Sequence, residues 1–246
     1  MFNRVHQSGH NGYSERHWVN RLLLYFTSDM MLGQSSSWWL YRHNTIHHRH
    51  TNMPGKEPKI FYLPRVGPYV YFFLIPFTGV FWSVYHSYKY LKSFGETILY
   101  SCLLGLGILA QWALFYPILG VWWSFVMVYV VRSVWSPVFM QIAVLNHIAL
   151  DNPKTQPSWL DHQSSTTRNL KKNWFLSSLG GIGFVDGHVE HHLFPSLSNS
   201  MLKEVKPIIK SHLEGEGYQY VEESYWTVLK RCINNYHSIF GEAMGE

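Results

Sequence analysis

An all-α fold, a helical integral membrane protein with a transmembrane hairpin, is what this sequence predicts. From Thr97 to Val131 there are 35 residues without Asp, Glu, Lys or Arg, and Arg132 is the single formal charge between Glu96 and Asp151. Outside that stretch, eight of the 15 histidines gather in three short clusters. Over the 246 residues, 47% are apolar and 14% charged, against roughly 25% charged in an average soluble domain, which excludes intrinsic disorder. Two cysteines, Cys102 and Cys232, make no disulfide framework, and the scattered 18 Gly and 11 Pro make no collagen-like or low-complexity chain. The chain reads as a single domain over residues 1–246.

A helix needs about 20 apolar residues to cross the hydrocarbon core. The apolar stretch therefore predicts one span from Thr97 to Tyr116 and a return from Ile118 to about Val138, a hairpin broken at Pro117 and Gly120. Arg132, near the end opposite the turn, is expected to snorkel to the interface. Basic residues flank the hairpin: Arg42, Arg49, Lys56, Lys59 and Arg65 on one side, Arg168, Lys171 and Lys172 on the other. The turn carries no charge, so the flanks are predicted to be cytoplasmic. A further apolar run at about 69–86 holds Pro76 and Gly79 and has cations on both sides, so it reads as interfacial or re-entrant. Met1 to Asn20 is polar and contains no secretory leader. The tail from Ser198 alternates apolar and charged residues, as an amphipathic helix does.

The clusters are His6…His10, His43…His47-His48 and His188…His191-His192. Residues three or four apart share one helix face, so each cluster aims two or three imidazoles at a common point. Imidazole suits Zn, Cu, Fe and Ni alike. Eight histidines exceed the four ligands of a closed zinc site and point to two ions. The paired Glu and Glu-x-x-His motifs of a carboxylate di-iron bundle are missing. For the second and third clusters to meet, the chain between them must cross the membrane an even number of times, as a hairpin does. From Pro117 to His147 is 30 residues, roughly 45 Å of helix, enough to emerge from a ~30 Å core and present His147 to the clusters. Asn146 is a candidate for a water-mediated contact. Glu190, Asp186 and Asp161 are candidates to orient the imidazoles. His50 competes for a ligand role, and His17, His86, His162, His212 and His237 read as surface or headgroup contacts.

These residues resemble the membrane fatty acid desaturase superfamily, which includes related hydroxylases. Its signature is three histidine boxes, H-x3-4-H, H-x2-3-H-H and (H/Q)-x2-3-H-H. Trp38-Trp39 before the second box, Thr51-Asn52 after it, Thr166-Thr167-Arg168-Asn169 ahead of the third and Leu193-Phe194-Pro195 behind it are also similar to acyl-chain desaturases. The similarity runs from about His6 to near Tyr220.

The resemblance implies a mushroom-like, mostly helical protein whose cytoplasmic helical cap holds two iron ions. It implies removal of two hydrogens from a fatty acyl chain, acyl-lipid or acyl-CoA, with O₂ and two electrons, leaving a cis double bond. The same superfamily also holds hydroxylases, and an inactive truncated relative is the non-enzymatic alternative. Carried onto this chain, the ligands are His6, His10, His43, His47, His48, His188, His191 and His192, with His147 as the ninth. Electrons are expected from a separate donor such as a cytochrome b5 or ferredoxin, because no His-Pro-Gly-Gly motif is present. Relatives usually place two membrane helices before the first box, which here begins at His6. The third box opens on His188, where front-end desaturases carry Gln, although Glu190 and the Leu-Phe-Pro tail look front-end-like; the double-bond position stays open. The expected location is the endoplasmic reticulum membrane in a eukaryote or the inner membrane in a bacterium, with the boxes cytoplasmic. Trp112, Trp122, Trp123 and Trp135 read either as the lining of an acyl tunnel or as an interfacial belt. A net charge of +5 fits anionic lipid headgroups or an acidic electron carrier, and no basic stripe suggests nucleic acid.

Overall fold

The computed structural model describes residues 2–57, 63, 65–155 and 158–244, and these are mostly helical. Lys59 of the basic flank lies outside them. The chain forms two compact units, Met1–Arg42 with Phe73–Pro137, and His43–Phe72 with Val138–Glu246.

In the first unit, helix Phe2–Gly9 packs on helix His17–Leu24 through Val5, Leu24 and Trp39. The second helix runs on as a π-helix, Tyr25–Leu32. Phe94–Ser133 is helical throughout except at Gly120, whose φ of 69° and ψ of −175° suit glycine and little else. The chain reverses there. Trp112 Nε1 donates to Val121 O at 3.2 Å, and Arg132 Nε donates to Gln111 Oε1 at 3.0 Å. Along a straight helix, residues 111 and 132 would stand about 30 Å apart. The break expected at Pro117–Gly120 therefore falls on the glycine alone. Pro117 stays inside the first arm, three residues before its end, where its ring fixes φ near the helical value. The return arm ends at Ser133, and a separate helix, Ser136–Leu145, follows.

The helical run from Phe94 to Leu145 is long and apolar enough to cross a membrane, and most of it is exposed. Trp122, Trp123 and Trp135 are exposed too, which fits a belt and not an interior lining. Arg132 corrects the expectation of a snorkelling charge. It is only 4% exposed, and its Nη2 donates to Met30 O at 2.7 Å. A cation is best placed at a helix C-terminus, where carbonyls lack partners. The apolar run at 69–86 is broken as its Pro76 and Gly79 suggest, into a π-helix Val70–Leu74, a 3₁₀ turn Ile75–Thr78 and an α-helix Gly79–Tyr90.

In the second unit, Ile142, Leu145 and Ile148 pack with Leu170, Val185, Val228 and Phe240 into a continuous core. Arg168–Leu170 and Val221–Glu223 pair as parallel strands, Arg168 opposite Val221. Arg168 is wholly buried, its Nη1 on Glu223 Oε2 at 3.0 Å and its Nη2 on the carbonyls of Ile148 and Ala149, so it is a structural pin and not part of a basic flank. Helix Asn199–Gly215 is amphipathic, as the tail predicts, and buries Leu213 against Val189 and Leu193.

Candidate metal centre

The second box straddles a change of helix type. His43 and His47 lie in a π-helix, Tyr41–His47, and His48 opens a short α-helix, His48–His50. The third box is a helix of its own, His188–Leu193, buried at every position. Its start is held from outside: Val189 N donates to Asn169 Oδ1 at 2.9 Å, and Asn169 Nδ2 donates to Glu190 Oε2 at 3.0 Å and to the Tyr220 hydroxyl, which donates in turn to Glu190 Oε1. His147 stands two residues past the end of helix Ser136–Leu145, and its carbonyl accepts from Asn52 Nδ2 at 2.8 Å.

Four of the predicted histidines, His47, His147, His188 and His192, bring ligand atoms within 4.8 Å of one another. In each, the Nδ1 edge meets an oxygen: Glu57 Oε1 at 2.6 Å for His47, Thr166 O at 3.0 Å for His147, Gly183 O at 2.9 Å for His188, and Gln163 Oε1 at 2.9 Å for His192. The Gln163 amide is oriented by its own Nε2, which donates to His48 O at 3.0 Å. Each oxygen is an acceptor, so each Nδ1 carries the proton and each Nε2 is left a bare lone pair. The Nε2 atoms of His147 and His188 stand 3.0 Å apart, and that of His192 is buried without a hydrogen-bond partner among the described residues. Lone pairs so close repel one another unless a cation lies among them, and imidazole nitrogens bind transition metals at 2.0–2.1 Å, as for zinc. The residues fit a metal ion.

Electrostatics points the same way. Burial pushes the imidazoles of His147 and His192 well below their usual range, and His188 down to about 3. Neighbouring imidazoles add to this. Neutral imidazoles are the form that ligates.

Within the same unit, His43, His48 and His191 make a second group, with His48 Nε2 at 3.2 Å from Nε2 of both His43 and His191. In the first unit, His6 and His10 stand together, ring centroids 5.3 Å apart, each edge-on to Trp39.

Glu190, Asp186 and Asp161 do not orient the imidazoles. Glu190 bonds Asn169 and Tyr220, Asp186 accepts from Ser177 Oγ, and Asp161 sits in the capped first turn of Trp159–Thr166. The carboxylate that does so is Glu57, ten residues after His47, where no helical spacing signals it. His162 is not a surface residue. It is fully buried, with Nε2 at 2.9 Å from Thr51 O. His86 is buried as well, stacked on Trp38 at 5.7 Å, whereas His17, His212 and His237 are exposed as expected. Asn146 turns its Nδ2 to Phe184 O at 2.9 Å. His50 joins neither group.

A family model described as Fatty acid desaturase matches residues 1–224. The chain is 25% identical to mouse Fatty acid desaturase 6 over 242 residues, covering 94% of this chain and 70% of that protein. It is 26% identical to human Fatty acid desaturase 3, with 94% and 56% covered. Against the sn-1 linoleoyl-lipid 6-desaturase of Arthrospira platensis it is 26% identical, with 93% and 71% covered. The chain thus spans between about half and seven tenths of these relatives. No solved structure matches it.

Proposed function

The chain belongs to the fatty acid desaturase family, and from that premise we propose that it desaturates a fatty acyl chain, acyl-lipid or acyl-CoA, with O₂ at a pair of histidine-held iron ions. The observation that carries this reading is the set of four imidazoles whose Nδ1 protons are all engaged, leaving four Nε2 lone pairs to face one another. His47, His147, His188 and His192 would hold one ion. His43, His48 and His191 would hold the other. Iron bound there supplies O₂ activation and hydrogen abstraction from a methylene too inert for any general base.

The protein's own part is to orient and to exclude water. Glu57, Thr166, Gly183 and Gln163 fix the tautomer and tilt of the four donors. Burial of His147, His188 and His192 keeps protons off the ligand nitrogens and water out of the site. The arms on either side of Gly120 are proposed to form a transmembrane hairpin with the boxes on its cytoplasmic side, and the segment at 69–86 to lie in the interface. Their exposed apolar surface suits lipid, and an acyl substrate then reaches the site from the bilayer. A separate electron donor, such as a cytochrome b5 or ferredoxin, is proposed to supply the two electrons.

Expression in a desaturase-deficient host, followed by fatty-acid profiling, tests the reading. A new unsaturated acyl species is expected, absent in His188→Ala and His191→Ala variants that still reach the membrane. A hydroxylated product would move the chain to the hydroxylase branch, and an unchanged profile from iron-loaded protein would overturn the assignment.

A further inference from the structure

Past Leu24, which is buried with Val5 and Trp39, the helix between the first two histidine boxes has its polarity inside out. Along Leu22–Leu32, the polar side chains Thr27, Ser28 and Asp29 are buried, at 4%, 0% and 3% exposure, while Leu22 and Phe26 are exposed at 57% and 51%. The buried groups have partners at hand: Thr27 Oγ1 donates to Leu23 O, Ser28 Oγ to Gln34 O, and Asp29 Oδ2 accepts from Ser36 N. Trp18, one turn before Leu22, is exposed at 60%. A helix in water turns these faces the other way.

The end of this helix lies against the apolar hairpin. Gly107 is so close to Met30 that a Cβ there would meet Met30 O at 1.9 Å. Gly107 is 13 residues before Gly120, or about 20 Å along the arm from the turn. Tyr100, whose hydroxyl donates to Gly33 O, is about 30 Å from it, so the chain heads back toward the arm's start once it passes Met31. The orphan carbonyls at the helix end are taken up by the hairpin: Met30 O by Arg132, Met31 O by Gln111, Gly33 O by Tyr100. Backbone ends inside a hydrocarbon core persist only when protein groups satisfy them. This accounts for a buried arginine and a buried glutamine in an otherwise apolar pair of arms.

We propose that the segment Leu22–Gly33 is a re-entrant intramembrane helix, its Leu22 and Phe26 face in contact with lipid acyl chains. Its deepest point, Met30–Met31, is held about 14–20 Å short of the hairpin's outer turn by Arg132 and Gln111, and Tyr100 holds Gly33 on the way back. The proposal rests on the hairpin spanning the bilayer. It adds a lipid-facing surface to a 16-residue helical segment, His17–Leu32, that is too short and too polar for a span.

Nitroxide accessibility tests it in the full chain reconstituted in phosphatidylcholine vesicles, on a Cys102→Ser background that leaves buried Cys232 unlabelled. Labels are placed at Phe26→Cys, at Leu114→Cys on the exposed face of the first arm, and at Glu204→Cys on Asn199–Gly215. Collisions at position 26 are expected to favour apolar O₂ over a water-soluble nickel chelate several-fold, as at position 114 and opposite to position 204. Chelate access at 26 matching that at 204 would overturn the proposal, and so would shielding from both reagents, which means that a second copy or another protein segment covers the face. Chelate access at 114 would instead overturn the transmembrane hairpin itself.

Discussion

Glu57 has the most to do for a residue that binds nothing directly. One carboxylate oxygen meets His47 Nδ1 at 2.6 Å, and the other accepts from Asn52 N at 2.8 Å. Asn52 in turn secures His147 through its carbonyl. One carboxylate thus steadies two of the four converging donors. Loss of such a partner costs about 10–100-fold in metal affinity in comparable sites. Glu57→Ala is expected to release iron to a chelator by about that factor faster than the parent while keeping its helical content, and Glu57→Gln to fall between them; parental retention in both would assign Glu57 a purely structural role. The three buried imidazoles set a pH dependence. His147, His188 and His192 resist protonation when folded, whereas the unfolded chain takes protons below about 6.5. The unfolded state then binds more protons, so stability is complete above pH 6.5 and falls below it, by about 1.4 kcal/mol per pH unit for each imidazole that stays neutral. Thermal unfolding of metal-free protein in detergent should show a lower Tm at pH 5.5 than at 7.5, and a flat profile would contradict it.

At the scale of elements, the third-box helix is only six residues long and has no side-chain cap of its own. Asn169 stands in from a neighbouring strand, bonding Val189 N and the buried Glu190. Asn169→Ala removes a cap and strands part of a buried carboxylate, for a loss of roughly 2–4 kcal/mol, measurable by denaturant unfolding; a loss under about 0.5 kcal/mol would show the helix is held otherwise. Gly107→Leu would drive a side chain into Met30 and is expected to lower the Tm by several degrees, whereas the same change at Gly105, with open space around it, should be nearly neutral. How legible these elements were follows from their chemistry. The boxes announce themselves through three- and four-residue spacing, and the apolar arms through composition. Glu57 and Gln163 act across loops, where no period connects them to their histidines. Arg132 reads from sequence as a snorkelling charge because a hydropathy pattern shows that a charge is costly and not which carbonyl it satisfies. The helix His17–Leu32 carries no apolar period in the sequence because Thr27, Ser28 and Asp29 face inward.

At the scale of the whole chain, the two apolar arms are largely exposed and most of the histidine ligands are buried. The run from Phe94 to Leu145 leaves large apolar side chains exposed, which costs little against lipid and a great deal against water. The imidazoles are shielded by polar neighbours that hold their Nδ1 edges. The most direct test of the central claim is the metal content of detergent-purified, iron-loaded protein. About two irons per chain are expected, since the histidines outnumber the ligands of one closed site, with a His188→Ala, His192→Ala double variant falling to about one. Zinc alone, or no iron after loading, would contradict it.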